Sequence, residues 1–177
     1  PMALRWTPEG QRRRYEAFLE VLPDLQGKSL IDLGCGRGDF LGFLKSKGIE
    51  VRYTGVDLNE NFIKEAREAH PEGTFYVLDI EEVEIDETFD IALAIGVFNL
   101  KVADIRNSMI NTLKRLFSLC KEVMCFDLII KEPTTDPELN AFLPEEAVEL
   151  VRKNLSRRFS LRTDLIDGIM FFSVYHL

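Results

Sequence analysis

The chain is poor in the residues from which metal centres and disulfide frameworks are built, with three cysteines and two histidines in 177 residues. Cys35, Cys120 and Cys125 are odd in number and lack metal-ligand spacing, the usage of a reducing compartment. His70 and His176 have no companions at ligand spacing either, so no metal site is expected. No apolar run approaches the length of a membrane span, and the first residues lack the basic, apolar and small-residue zones of a signal peptide. The expectation is a soluble, cytoplasmic protein, with Pro1 ahead of Met2 left out of the reading. Positive charge is also short. The 22 Lys and Arg stand against 30 Asp and Glu, a net charge of −8, which argues against a broad nucleic-acid surface. Two basic clusters, Arg12-Arg13-Arg14 and Arg152-Lys153 with Arg157-Arg158, read as solvated helix faces, although such clusters can still dock RNA or a protein.

Repeats and low-complexity segments are absent too, and 46% hydrophobic residues are enough for one substantial core, so residues 1–177 read as a single domain. Thr7-Pro8-Glu9 is a helix start, and Tyr15, Phe18, Leu19 and Leu22 share one face before Pro23 stops the helix. Strands are expected at Leu30 to Leu33, Val51 to Leu58, Thr74 to Ile80, Phe89 to Ile95 and Val123 to Ile130. Helices alternate with them: Phe40 to Lys47 closed by Gly48, one capped by Asn59, and a long one with Ile105, Met109, Leu113, Leu116 and Cys120 as its buried stripe. Lys131 to Leu143 is a polar, proline-rich loop fit to border a pocket, and Pro144 opens the last helix. Phe159 to Leu165 and Ile169 to Tyr175, joined through Asp167-Gly168, form an antiparallel hairpin. The alternation implies an α/β fold: a doubly wound, mostly parallel, seven-stranded sheet with helices on both faces.

The most informative segment is Asp32-Leu33-Gly34-Cys35-Gly36-Arg37-Gly38-Asp39, where a buried strand ends in an acid and turns through three glycines into a helix. Glycines there let the backbone turn tightly and approach a ligand over the helix start. A dinucleotide fingerprint needs a glycine or alanine at the sixth position, which here is Asp39. Asp32 would repel a pyrophosphate but suits a cofactor with a cationic amino group. A second strand ends in Asp57, nineteen residues after Gly38, where a carboxylate can accept both ribose hydroxyls of an adenosine; a third ends in Asp79.

These motifs resemble the Rossmann-like, class I methyltransferases that depend on S-adenosylmethionine (SAM), from about Gln26 to the end of the chain. Trp6, Gln11, Arg14 and Tyr15 ahead of the first strand resemble a group of small bacterial and archaeal members without an assigned substrate. The resemblance implies that SAM binds at Asp32, Gly34, Cys35, Gly36, Asp57, Leu58, Asp79, Ile80 and Gly96 and leaves as S-adenosylhomocysteine. Asp57 would take the ribose, Asp79 and Ile80 the adenine, and the glycine turn the methionine end, with Cys35 as a small packing residue. Arg14 or a neighbour would pair with the methionine carboxylate, and the helix at 8–22, with Trp6, would cover the pocket.

Near the reacting methyl group the fourth strand ends in Gly96-Val97-Phe98-Asn99. It has neither the Asn-Pro-Pro-aromatic pattern of adenine- or glutamine-methylating enzymes nor the Pro-Cys pair of cytosine carbon methyltransferases. Asn99 is the polar candidate for orienting an acceptor, with a turn or cap residue as the competing reading. His70 is expected on the surface and His176 at a strand edge. The expected activity is methyl transfer to a small-molecule acceptor. The alternatives are a SAM-binding protein without turnover and an NAD-dependent oxidoreductase, the latter disfavoured by Asp32 and Asp39.

Overall fold

A computed structural model describes residues 7–101, 104–133 and 135–176. Helix α1 (Pro8–Val21) starts where Thr7 Oγ1 accepts the Gly10 amide at 3.1 Å. It is followed by β1 (Ser29–Leu33), α2 (Asp39–Ser46), β2 (Arg52–Asp57), α3 (Glu60–Ala69), β3 (Thr74–Val77) and β4 (Phe89–Ala94). The second half comprises α4 (Ile105–Ser118), β5 (Cys120–Ile130), β6 (Ala141–Phe142), α5 (Pro144–Asn154), β7 (Arg158–Arg162) and β8 (Ile169–Tyr175). Asn59 caps α3 with its side chain, accepting the amides of Asn61 and Phe62.

The sheet runs β3-β2-β1-β4-β5-β8-β7, and β8 alone is antiparallel to its neighbours. Successive residues of the inner strands feed two cores on opposite faces, which is why β1 and β4 read as unbroken apolar runs. Leu30, Ile91 and Leu93 pack with Phe18 of α1, Phe40 and Leu44 of α2 and Ile63 of α3. Ile31, Ala92 and Phe126 pack with Met109, Leu113 and Leu116 of α4 and Val151 of α5. The chain runs outward from β1 to β3 and returns to lay β4 on the other side of β1. That reversal of strand order opens a crevice beyond the carboxyl ends of β1 and β4.

Four details differ from the expectation. β3 stops at Val77, so Asp79 lies two residues beyond the strand and not at its end. An eighth strand, β6, lies within the segment 131–143; β5 outruns β4, and β6 pairs with the overhanging Ile129 and Ile130. Cys120 is not part of the α4 stripe, because α4 ends at Ser118 and Cys120 pairs with Phe89 as the first residue of β5. His70 is not on the surface: it is the C-cap of α3, and its ring fills the space over Gly38 and Gly42, 2.9 and 3.1 Å from where a Cβ would lie. Among the described residues no helix is long and apolar enough to cross a membrane.

Candidate functional site

A cleft of about 940 Å³ opens at the carboxyl ends of the parallel strands. The residues singled out from the sequence meet there: Arg14, Asp32, Gly34, Cys35, Gly36, Asp57, Leu58, Asp79, Ile80, Gly96 and Asn99 all line it. Trp6 lies outside the described residues.

One side of the cleft is made from strand ends. The turn after β1 docks on β2, with the amides of Gly34 and Cys35 donating to Val56 O at 2.8 and 3.1 Å. Gly34 has φ +69°, and a Cβ on it would sit 2.8 Å from Val97 Cγ2, so only glycine lets the turn meet the chain leaving β4. Among the described residues nothing lies within 4 Å of where a Gly36 Cβ would be, which leaves room for a ligand against the backbone. The Gly36 amide donates to Asp57 Oδ2 at 2.9 Å and the Asn59 amide to Asp57 Oδ1 at 2.8 Å. The backbone thus fixes the Asp57 carboxylate, and each oxygen keeps a further lone pair for a ligand hydroxyl. Asp79 is held similarly, through the Glu81 amide at 2.9 Å. Between these two acids Leu58 is 70% exposed, an apolar side chain beside the cleft with little packed on it.

Asp32 is buried at the floor, where Tyr53 donates its hydroxyl to Oδ2. Burial pushes the Asp32 carboxyl up to about 7, opposed by the Tyr53 hydrogen bond and reinforced by the Asp57 charge. No cation pairs with Asp32 among the described residues, so an incoming ammonium group would find a carboxylate short of positive charge. Burial also pushes the Cys35 thiol well above its ordinary value, which fits a packing residue rather than a nucleophile.

The other side is made of buried side-chain bonds. Arg14 of α1 lies 3.4 Å from Asp127 of β5, both side chains buried, and Asp127 accepts the Gly96 amide at 2.6 Å. This chain ties α1 to the turn after β4, and Gln11 ties α1 to the start of α2 through Asp39 at 3.2 Å. Burial raises the Asp127 pKa, with Arg14 and the Gly96 amide acting against it. Asn99 is 8% exposed; its backbone oxygen accepts the Asn140 amide at 2.9 Å, while its side-chain Oδ1 has no partner among the described residues. Asn140 also donates to Phe98 O at 3.0 Å, and Leu100 pairs with Leu139. The segment 136–140 is thereby laid along the cleft mouth, where Asp136 and Leu139 line it.

The family described as "Methyltransferase domain" matches residues 30–122, more than half of the chain. The chain belongs to the class I SAM-dependent methyltransferases. It is 29% identical over 158 residues to malonyl-[acyl-carrier protein] O-methyltransferase of Salmonella typhimurium, covering 78% of this chain and 58% of that protein. It is 34% identical over 65 residues to trans-aconitate 2-methyltransferase of Escherichia coli O1:K1 / APEC, covering 37% of this chain and 26% of that protein. The fold is shared with magnesium protoporphyrin IX methyltransferase from Synechocystis PCC 6803, solved with bound S-adenosylhomocysteine. There the TM-score is 0.70 and the identity 15%, over 94% of this chain and 84% of that one. The chain spans between 29% and 58% of the length of three of its curated relatives.

Several residues that line or support this methyltransferase cleft were not singled out from sequence. Tyr53 needs the β1–β2 register to be placed beside Asp32. Asp127 carried one signal, a lone acid in the otherwise apolar run 123–130 of β5. Glu81, read as part of an exposed acidic connection, accepts the Ser108 and Thr112 hydroxyls at 2.8 and 2.6 Å and fastens the chain after β3 to α4.

Proposed function

We propose that the protein transfers the methyl group of SAM to a small-molecule acceptor by in-line displacement. The observation that carries this reading is the convergence of Asp32 of β1, Asp57 of β2 and Asp79, two residues beyond β3, on one glycine-floored cleft. The cleft fits the cofactor chemically: fixed carboxylate lone pairs for ribose hydroxyls, open space over Gly36, and a buried carboxyl in want of a cation. When bound, SAM supplies an activated methyl group on a sulfonium, a leaving group that needs no protonation.

The chain's own residues then bind and orient. Asp57 accepts the ribose hydroxyls, Asp79 the adenine amino group, and Leu58 and Ile80 flank the ring. Gly34, Cys35 and Gly36 receive the methionine end, Asp32 its ammonium group, and Arg14, fixed by Asp127, its carboxylate. Gly96 would line the methionine end of the cofactor, and Asn99 would present an amide to the acceptor. Holding the reactants in line and excluding water can supply most of the acceleration, so a base is needed only for an acceptor that must lose a proton.

A small-molecule acceptor is supported by the name of the trans-aconitate relative and by the acidic net charge. The test is incubation with methyl-labelled SAM and separated metabolite, RNA and protein fractions. Label in the metabolite fraction supports the reading, and label in RNA or protein overturns the small-molecule acceptor. SAM binding without transfer to any fraction would favour a non-catalytic SAM-binding protein.

A further inference from the structure

The structure gives Asp32 an unusual partner. Tyr53 lies on β2, 3% exposed, with its ring tilted against Phe75 at a centroid distance of 5.8 Å. Gly55 stands opposite Asp32 in the β1–β2 register, and a Cβ there would come within 2.7 Å of both Cys35 Sγ and Phe75. Tyr53 is thus buried against Phe75, and its hydroxyl makes the side-chain hydrogen bond that Asp32 accepts. Among the described residues the other groups around Asp32 do not neutralise it. Asp57 faces it from the end of β2, Cys35 from the turn, and Tyr15 from α1, with Asp39 beyond, held by Gln11. Arg14, on the same helix as Tyr15, is engaged with Asp127.

We propose that Tyr53 is a positioning residue for cofactor binding: its hydroxyl keeps the Asp32 side chain ionised and oriented for the ammonium group of the cofactor. The inference rests on the SAM reading of the cleft. A tyrosine suits this task because it is a neutral donor. A lysine or arginine at position 53 would neutralise Asp32 from within and compete with the ligand. A phenylalanine would leave a buried carboxyl without a donor, and burial alone would favour its protonated form. Burial keeps the proton on Tyr53, raising its own pKa well above the ordinary value, so the hydroxyl remains the donor.

The sign follows from proton linkage. Ligand ammonium binds the ionised form of Asp32, so affinity falls about tenfold per pH unit below the Asp32 pKa. Removing the Tyr53 hydroxyl raises that pKa further, by about one unit or more for a hydrogen bond to a charged group.

The experiment is calorimetric titration of S-adenosylhomocysteine into wild type and Tyr53→Phe at pH 6, 7, 8 and 9, with Asp32→Asn and Asp57→Ala as references. Taking the ratio of the two dissociation constants at each pH cancels titration of the ligand. The expected ratio is about tenfold at pH 6, shrinking to within about twofold at pH 9, where Asp32 is ionised in both proteins. Asp32→Asn should lose this pH dependence. A ratio that stays constant across the range, or that never departs from one, overturns the inference, because a purely structural role would not follow pH. If Tyr53→Phe does not fold, Tyr53→Met, which lacks the hydroxyl, is read the same way. Failure of the wild type to bind, or full binding by Asp57→Ala, would instead overturn the SAM reading, and the inference with it.

Discussion

At the β1–β3 side of the cleft the polar groups come from strand ends and are fixed by neighbouring backbone amides: Asp57 by Gly36 and Asn59, Asp79 by Glu81. At the β4–β5 side they come from residues distant in sequence and are fixed by long-range contacts: Arg14 by the side chain of Asp127, and the Asn99 backbone by the Asn140 amide. The first side presents accessible acceptors to a ligand, held by amides a few residues away or on the adjacent turn. The second side depends on a buried ion pair that joins α1, β5 and the turn after β4. The cofactor side is thus a local construction, whereas the acceptor side is a tertiary one.

Breaking the buried pair should have the largest effect. Asp127→Ala leaves the Arg14 guanidinium buried without its carboxylate and is expected to lower stability by about 3–5 kcal/mol, read as an earlier denaturation midpoint. Asp57→Ala should do the opposite: little change in stability, because Asp57 is only half-buried, but SAM affinity reduced on the order of 100-fold through loss of charge-assisted hydrogen bonds.

Asp32 sharpens the contrast, being on the cofactor side yet buried. Its folded pKa of about 7 lies above the ordinary 3.8, so the folded state holds the proton more tightly. Asp32 therefore contributes a stabilising term that is complete below pH 4 and is lost as pH rises through about 7. Asp32→Asn removes that loss and should raise the melting temperature of the ligand-free protein at pH 8, by about 1–2 kcal/mol in stability, while weakening SAM binding. A melting temperature unchanged at pH 8 would mean that Asp32 is solvated.

The smallest binding effect is expected from Asn99→Ala, on the acceptor side. SAM affinity should stay within about threefold, while turnover on an identified acceptor falls by about tenfold, the worth of one hydrogen bond. A large loss of SAM affinity in this variant would place Asn99 with the cofactor instead.

The same contrast explains what could be read from the chain alone. Asp32, Asp57 and Asp79 were legible because each closes an apolar run, and Gly34, Gly36 and Gly38 because positive φ is a local demand, here +69°, +56° and +77°. Helix starts at Thr7, Asn59 and Pro144 were legible for the same reason: caps and N-terminal prolines act within a few residues. The Tyr53–Asp32 bond was not, since it depends on strand register, and the Arg14–Asp127 pair was not, since it depends on where α1 lands on the sheet. β6 is only two residues long and exists because β5 overhangs β4, a tertiary cause without a sequence pattern of its own. His70 misled because its position before Pro71 signals a helix end, while its burial follows from the space left by Gly38 and Gly42.

The central claim is that the strand-end acids form a SAM site, and calorimetric titration of the wild type and Asp57→Ala with SAM, S-adenosylhomocysteine and NAD tests it most directly. The account predicts saturable binding of the first two ligands, no binding of NAD, and loss of the signal in the variant. Binding of NAD in preference to SAM, or SAM binding indifferent to Asp57, would contradict it.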